Sequence, residues 1–340
     1  MVNSRDVARL AGVSQTTVSR ALSNSPNVKP ETRDRVIRAL AESGYSVNVM
    51  ARAMRTRRTG TIGIVVTQIT NPFYPALIRI LSQQLDALQL RMTVWDAEGP
   101  GENSAVTAIR EGVVDGVIFT TATQESTALR EALQRKAPIV LLNRVVQGLA
   151  CDQVTSENHQ AGRRIAEYLL AAGHRQIAMA AGPPEASTAS EREAGFCERL
   201  AEDGVILDPT LIRAGDFSYE HGFESARAWL GAGARRPTAV FCVNDLIAFG
   251  AVDGARAGGL RVPEDLWVVG HDDIEISSWG AFDLTTVRQP ISEMVEAALQ
   301  MLLARIDDPD KKPTFRRFPS ELIVRGSSSH FPGPLVPSTD

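Results

Sequence analysis

The chain has 340 residues, 44% of them hydrophobic, and a formal net charge of −4. This length allows two or three domains with separate cores, as in an ordinary soluble protein. No stretch approaches the roughly 18 uninterrupted apolar residues that a membrane-spanning helix needs, and the sequence MVNSRDVARL lacks the pattern of an export signal. We therefore expect a cytoplasmic protein with no membrane partner.

Charge is distributed unevenly along the chain. Residues 1–59 contain eleven Lys and Arg against four Asp and Glu, a formal charge of +7, so the remainder carries −11. A small basic head on an acidic body suits a polyanion such as DNA, whose phosphates attract clustered cations. Charge alone leaves a merely solvated helical surface as an equal alternative.

The head begins with a helix-turn-helix pattern. The sequence predicts a first short helix over Asp6–Ala11, which Gly12 ends. Ser14 is then placed to cap a second helix over Gln15–Leu22, with Val18 and Leu22 as its inward face. Its outward side chains are Gln15, Thr16, Ser19 and Arg20. Amide, hydroxyl and guanidinium groups on a second helix are the groups that read base edges in the major groove.

A third helix is predicted over Pro30–Ser43, where Val36, Ile37, Leu40 and Ala41 would close a three-helix core. At this point the sequence resembles a known family. The segments DVARLAGVSQTTVSRAL and VKPETRDRVIRALAESGY resemble the headpiece of the LacI/GalR family of bacterial transcription regulators, and NVMARAMRTRRTGTIGIVV with NPFYPAL resembles its hinge and first effector-domain strand. The similarity runs from about residue 3 to residue 327.

The resemblance implies which residues contact DNA. In the family, the first two residues of the recognition helix and the arginine after T-V-S set operator choice, which implicates Gln15, Thr16 and Arg20. The full set of expected DNA contacts is Ser14, Gln15, Thr16, Thr17, Ser19, Arg20, Asn27, Met54 and Arg55.

Residues 48–55 are too few for a stable free helix in water. In the family this hinge helix orders on DNA, and two copies from a dimer insert a leucine pair into the minor groove. Here Met54 stands at the wedge position, and Val47 stands where the family usually has proline. A plain basic linker is the alternative.

From Thr61 onward, apolar β-branched runs alternate with helical segments, which is typical of parallel sheets covered on both faces. The resemblance implies an α/β, two-lobed, periplasmic-binding-protein-like effector domain with doubly wound parallel sheets, after an all-α helix-turn-helix headpiece and a hinge helix. The expected boundaries are a headpiece at 1–46, a hinge and linker at 47–60, an effector domain at 61–327 and a Ser/Pro-rich disordered tail at 328–340. Within the effector domain, the N-lobe takes about 61–158 and 291–320, and the C-lobe takes about 159–288.

Ligands of open α/β sheets lie beyond the carboxyl ends of the strands, so polar residues just after strands are the ones to inspect. They include Asn143 with Arg144, Asp216, Asn244 with Asp245, and Asp272 with Asp273. Matched to family motifs, the expected effector-binding residues are Phe73, Tyr74, Thr120, Asn143, Thr188, Arg192, Phe217, Asn244, Asp272 and Gln289. Aromatic walls with few polar groups suit a sugar, a sugar acid or another small polar metabolite. The plainer alternatives are that Asn244 and Asp272 cap turns, that Phe217 belongs to the core and that Arg192 pairs with a nearby Glu.

Rival functions have little support in the sequence. We find no motif of a hydrolase, nucleotide-binding enzyme or zinc protease, and three consecutive residues such as His271–Asp273 do not converge easily on one metal ion. Three isolated cysteines (Cys151, Cys197 and Cys242) indicate reduced thiols. We therefore expect no enzyme, no cofactor and no metal. The remaining alternative is a solute-binding protein without a regulatory role, which would have no use for a basic head.

The sequence thus predicts a homodimeric, ligand-responsive DNA-binding regulator, most simply a repressor. Two heads would read the half-sites of a pseudo-palindromic double-stranded operator, and a small-molecule effector between the lobes would change operator affinity.

Overall fold

A computed structural model describes residues 3–22, 27–43, 58–97, 100–230 and 236–329. The chain divides into two compact units, a head (residues 1–59) and a body (residues 60–340). The described residues do not include Val47, the hinge residues Met54 and Arg55 that were predicted to contact DNA, or residues 330–340 of the predicted tail. No helix in the described part of the chain is both long enough and apolar enough to cross a membrane.

The head contains helices α1 (Ser4–Ala11), α2 (Gln15–Leu22) and α3 (Pro30–Ser43). Val7, Val18 and Val36, one from each helix, are at most 1% exposed and form its core with smaller side chains. The side chain of Leu22, also predicted to face inward, lies outside the described part.

Helix α1 begins two residues before the predicted start because Asn3 caps it. The Asn3 side chain accepts hydrogen bonds from the backbone N–H groups of Arg5 and Asp6, and the Asp6 carboxylate accepts from the Asn3 N–H. Such reciprocal capping satisfies N–H groups that the helix itself leaves unpaired.

The inward face of α3 differs from the prediction. Val36 is buried as expected and Leu40 is partly buried, but Ile37 is 54% exposed and Ala41 is exposed, whereas Ala39 is buried. The buried stripe therefore follows positions 36, 39 and 40, the usual i, i+3, i+4 spacing of a narrow helix face.

The body alternates strands with helices. Its strands are β1 (Thr61–Val66), β2 (Arg91–Asp96), β3 (Gly116–Phe119), β4 (Ile139–Leu142), β5 (Asp152–Ser156), β6 (Ile177–Ala181), β7 (Ile212–Ala214), β8 (Ala239–Cys242), β9 (Trp267–Val269), β10 (Thr286–Arg288), β11 (Phe315–Phe318) and β12 (Glu321–Ile323). Its α-helices are α4 (Phe73–Ala87), α5 (Gly101–Arg110), α6 (Thr127–Gln134), α7 (Asn158–Ala171), α8 (Ser187–Glu202), α9 (Tyr219–Leu230), α10 (Asp245–Ala257) and α11 (Ile291–Asp307).

Two parallel sheets define the two lobes. The N-lobe sheet has the order β11–β5–β4–β3–β1–β2, and the C-lobe sheet has the order β7–β6–β8–β9. All pairings within both sheets are parallel. Strands such as β3, β4, β6 and β8 are buried along their whole length because helices cover both faces of the sheets.

The chain passes between the lobes three times. The first crossing follows β5, the second follows β10, and the third follows β11, after which β12 pairs with β10 in an antiparallel manner. Helix α11 packs against β3, β4 and β5 and so belongs to the N-lobe. The body continues through Ser328, the first residue of the predicted tail, because the buried Ser328 hydroxyl is hydrogen-bonded to Thr285.

Strand β5 was not predicted from its sequence, DQVTS, although all five residues are buried. Arg305 of α11 donates two hydrogen bonds to the carboxylate of Asp152, at 3.0 and 2.9 Å. Gln153 bonds both backbone polar groups of Val146. A polar strand is thus tolerated in the sheet because each polar side chain has a partner.

Candidate nucleic-acid interface and ligand-binding cleft

Helix α2 presents a polar face to solvent. Gln15, Thr16 and Arg20 are exposed and Ser19 is half-buried, whereas Val18 on the opposite side is buried. Positions 15, 16, 19 and 20 lie on one side of a helix, so the structure brings these predicted contacts together. The Gln15 amide donates to the Ser4 hydroxyl at 2.6 Å.

Ser14 and Thr17 also stabilise the start of α2. The Ser14 hydroxyl accepts from the backbone N–H of Thr17 at 3.0 Å and lies 2.8 Å from the Thr17 hydroxyl. Ser14 is therefore the N-cap of α2, as its position predicted. Asn27 is exposed just before α3.

A ring of buried polar side chains lies between the lobes. The Ser156 hydroxyl lies 2.9 Å from the Gln289 oxygen and 3.3 Å from the Asn158 oxygen, which share its one hydrogen, and Gln289 donates to Asp272 (2.8 Å). Arg192 pairs with the same Asp272 oxygen at 3.5 Å and donates to Asn158 (2.8 Å). All five side chains are buried. Ser156 ends β5, Asn158 begins α7 and Gln289 follows β10, so the ring includes two of the three crossings between the lobes.

Arg192 is anchored from the C-lobe. Besides Asn158 and Asp272, it donates to the backbone carbonyl of Val243 at 2.7 Å. Among the described residues, the ion-pair partner of Arg192 is Asp272 and not a glutamate, contrary to the alternative that Arg192 pairs with a neighbouring Glu. Burial lowers the pKa of the guanidinium, and the nearby Asp272 carboxylate offsets part of that shift.

Asp272 follows β9 in a strained backbone conformation, with φ of 128°. Burial raises the pKa of its carboxyl to about 6, although Arg192 and the Gln289 hydrogen bond act in the opposite direction. His271 is fully buried, its Nδ1 lies 3.2 Å from the Asp272 carboxylate, and its Nε2 has no hydrogen-bond partner among the residues that the structure describes. Burial lowers the pKa of His271 well below its usual value, so its imidazole is neutral at pH 7.

The two residues after β8 form hydrogen bonds to backbone groups of segments that line the cleft. Asn244 caps α10 through the Ile247 N–H, at 2.9 Å, as the plainer alternative proposed. The next residue, Asp245, accepts from the Ile274 N–H and from the hydroxyls of Ser277 and Thr286. Asp245 therefore fixes the segment that carries Asp272.

Aromatic side chains from both lobes meet near this ring. Phe73 and Tyr74 of α4 are buried and form an edge-to-face pair with centroids 5.4 Å apart. Burial raises the pKa of Tyr74, although the nearby Arg144 guanidinium acts in the opposite direction. Across the cleft, half-buried Phe217 lies 5.5 Å below the Arg144 guanidinium.

Three further predicted site residues are buried near strand ends. The Thr120 hydroxyl is already bonded to the Val65 carbonyl, at 2.9 Å. Asn143 has φ of 75°, and its side-chain oxygen has no hydrogen-bond partner in the described part of the chain. Thr188 lies buried in the first turn of α8. Across the lobes, the adjacent Ser187 hydroxyl accepts from the Val145 N–H at 2.9 Å.

The sequence did not single out Ser156 or Asn158, and it placed Arg144 after a strand without including it among the expected effector contacts. Asn158 begins α7, and its bond to Arg192 spans 34 positions. Within the described residues, no group of three His, Cys, Asp or Glu side chains could hold a metal ion.

Comparisons with known proteins agree with this architecture. Residues 5–48 match the model of bacterial regulatory proteins of the lacI family, and residues 166–328 match the periplasmic binding protein-like domain. The chain is 34% identical to the HTH-type transcriptional regulator DegA of Bacillus subtilis (strain 168), over 95% of this chain and 97% of DegA. It is 32% identical to the HTH-type transcriptional repressor CytR of Escherichia coli (strain K12), over 96% of each chain.

Solved structures give the same result. The Lac repressor dimer bound to operator and the anti-inducer ONPF is 29% identical, with a TM-score of 0.82, over 96% of this chain and 99% of that one. The transcriptional regulator CelR in complex with cellobiose is 30% identical, with a TM-score of 0.73, over 96% of this chain and 100% of CelR. With its helix-turn-helix head and its two-lobed parallel-sheet body, this chain belongs to the lacI family of bacterial regulatory proteins.

Proposed function

We propose that this protein is a homodimeric, non-catalytic transcriptional repressor whose affinity for a pseudo-palindromic operator is changed by a small polar metabolite bound between its lobes. Two heads read the half-sites through Gln15, Thr16 and Arg20, and the predicted hinge around Met54 bridges the centre. A solute-binding protein shares such a body, but the lacI-family match of residues 5–48 supports a DNA-binding role instead.

The observation that carries the proposal is the buried ring of Ser156, Asn158, Arg192, Asp272 and Gln289. A ligand that bonds to Arg192 and Asp272 also changes the partners of side chains at two crossings between the lobes. Ligand binding and lobe orientation are therefore coupled, and the same coupling free energy connects ligand affinity to operator affinity.

The test begins with selection of binding sites from random duplexes by the purified chain. We expect a pseudo-palindromic operator, and an unrelated pool of recovered sequences would contradict the DNA-binding proposal. The recovered operator is then titrated by fluorescence anisotropy in the presence of candidate metabolites, which also gives the sign of the response.

The variant Arg192→Ala tests the effector site. We expect it to abolish the ligand response while operator affinity without ligand stays within a factor of about three. The exposed arginine of α6, changed in Arg130→Ala, is the matched control. A full response in Arg192→Ala would move the effector site away from the ring.

A further inference from the structure

We propose that the effector carries a carboxylate and that Arg144 binds it. This inference rests on the proposed function and names the chemical class of the effector. It concerns a residue directly after β4, on the N-lobe side of the cleft.

Arg144 is a buried cation whose hydrogen-bonding capacity is only partly used. Its side chain is 6% exposed, and its guanidinium lies 5.5 Å from the ring centroid of Phe217. Among the described residues, its Nε has no hydrogen-bond partner. A buried N–H of a charged group that lacks an acceptor is costly, because water no longer solvates it.

The other two buried arginines in the described residues provide an internal comparison. Arg305 donates twice to Asp152, and Arg192 lies beside Asp272 and has two further acceptors. In each case a carboxylate offsets the charge. For Arg144, no ion pair with a carboxylate occurs within the described part of the chain, and Asp272 acts on it only through space. The missing counterion is what an anionic ligand supplies.

The geometry of the Arg144 guanidinium indicates which kind of anion it binds. Nε and a neighbouring Nη form a planar fork that matches the two oxygens of a carboxylate. A phosphate dianion needs a second uncompensated cation, but the charge of Arg192 is already offset by Asp272. The fork becomes accessible when the lobes separate, since Arg144 comes from one lobe and Phe217 from the other.

Other side chains of the cleft indicate which groups the rest of the effector carries. The Asp272 and Arg192 side chains provide a carboxylate acceptor and guanidinium donors, which suit hydroxyl groups. The expected effector is therefore a small polyhydroxy acid, with its carboxylate at Arg144 and its hydroxyls toward the ring.

The first experiment uses the full-length purified protein and matched pairs of probes. Calorimetric titrations compare D-galacturonate with D-galactose, D-glucuronate with D-glucose, and D-gluconate with sorbitol; glucose 6-phosphate is the phosphate probe. We expect at least one acid to bind tenfold or more tightly than its neutral partner. Arg144→Gln should reduce that preference to less than threefold, and Arg130→Gln should preserve it.

The second experiment needs no ligand. Arg144→Met removes an uncompensated buried charge, so its unfolding temperature should equal or exceed that of the unmodified protein. Arg305→Met leaves Asp152 buried without its cation, so its unfolding temperature should fall by several degrees. A similar fall in both variants would overturn the proposal, because Arg144 would then have a partner within the protein.

The remaining outcomes are also decisive. A neutral sugar that binds as tightly as its acid, or binding of the phosphate ester alone, overturns the carboxylate assignment. If no probe binds, the stability of Arg144→Met decides: a value below that of the unmodified protein overturns the proposal, and an equal or higher value supports it. The proposed function fails separately, when site selection recovers no operator.

Discussion

Helices α7 and α8 are in backbone contact, and this contact positions Arg192 in the buried ring. A Cβ atom added at Gly162 of α7 would lie 2.0 Å from the carbonyl oxygen of Arg192 and 2.8 Å from the backbone nitrogen of Phe196. Gly195 makes the reciprocal approach, where a Cβ atom would lie 1.9 Å from the His159 carbonyl oxygen. The variant Gly162→Ala therefore forces the two backbones apart.

The size of the effect follows from these distances. Ordinary contact requires about 3.4 Å, so α8 must move by about 1.4 Å near Arg192. Overpacking costs about 1 to 3 kcal/mol when side chains can adjust. Here the opposing atoms are backbone, so we expect about 3 kcal/mol, or a fall of roughly 6 to 12 °C in unfolding temperature for a body of this size. The same movement displaces Arg192 from Asn158 and should weaken effector binding.

Thermal unfolding followed by circular dichroism measures the first effect, and effector titration measures the second. The control is Gly280→Ala, because a Cβ atom there meets nothing within 4 Å. An unfolding temperature of Gly162→Ala within about 1 °C of Gly280→Ala would refute the close-contact reasoning.

Three other predictions concern single groups. Arg20→Ala should relax base preference at one operator position by about 1 to 3 kcal/mol, measured by binding-site selection; unchanged preference would remove Arg20 from base recognition. Ser14→Ala should destabilise the head by about 1 kcal/mol through loss of the α2 cap, whereas Thr16→Ala should not, as followed by chemical denaturation of the head signal. Because burial raises the pKa of Asp272 from 3.8 to about 6, the folded state retains a proton that the unfolded chain releases in this range. The resulting stability is fully present below about pH 3.8 and is lost as the pH rises through about 6, so Asp272→Asn should flatten the stability profile over this interval; an unchanged slope would contradict the shift.

Most of the fold is visible in the sequence because its elements are strongly periodic. The bounds of α2 and α3 agree with the predicted ranges, and apolar strands such as β3, β4, β6 and β8 are buried as expected. Strand β5 was missed because its burial depends on Arg305, which is about 150 positions away. The predicted inward face of α3 was wrong because the buried stripe follows positions 36, 39 and 40, which leaves Ile37 on the exposed side.

For the site, strand-end positions and family motifs located Arg192, Asp272 and Gln289, which the structure brings into one ring. Sequence patterns could not show that Ser156 and Asn158 close this ring, because both bonds depend on how the two crossings meet. Nor could they show that the Nε of Arg144 lacks a partner, which is a property of the folded chain alone.

The three crossings between lobes also set the order in which the molecule can be completed during synthesis. The C-lobe sheet has all four strands once residue 269 has been made, whereas the N-lobe sheet, started first, lacks β11 until residue 318. Because chains are synthesised at about 5 to 20 residues per second, β11 and the covering helix α11 are complete only roughly 10 to 30 s after β5 has been made. A nascent chain therefore exposes an unpaired β5 edge during this interval, and chaperones that protect strand edges would act on the N-lobe rather than on the C-lobe.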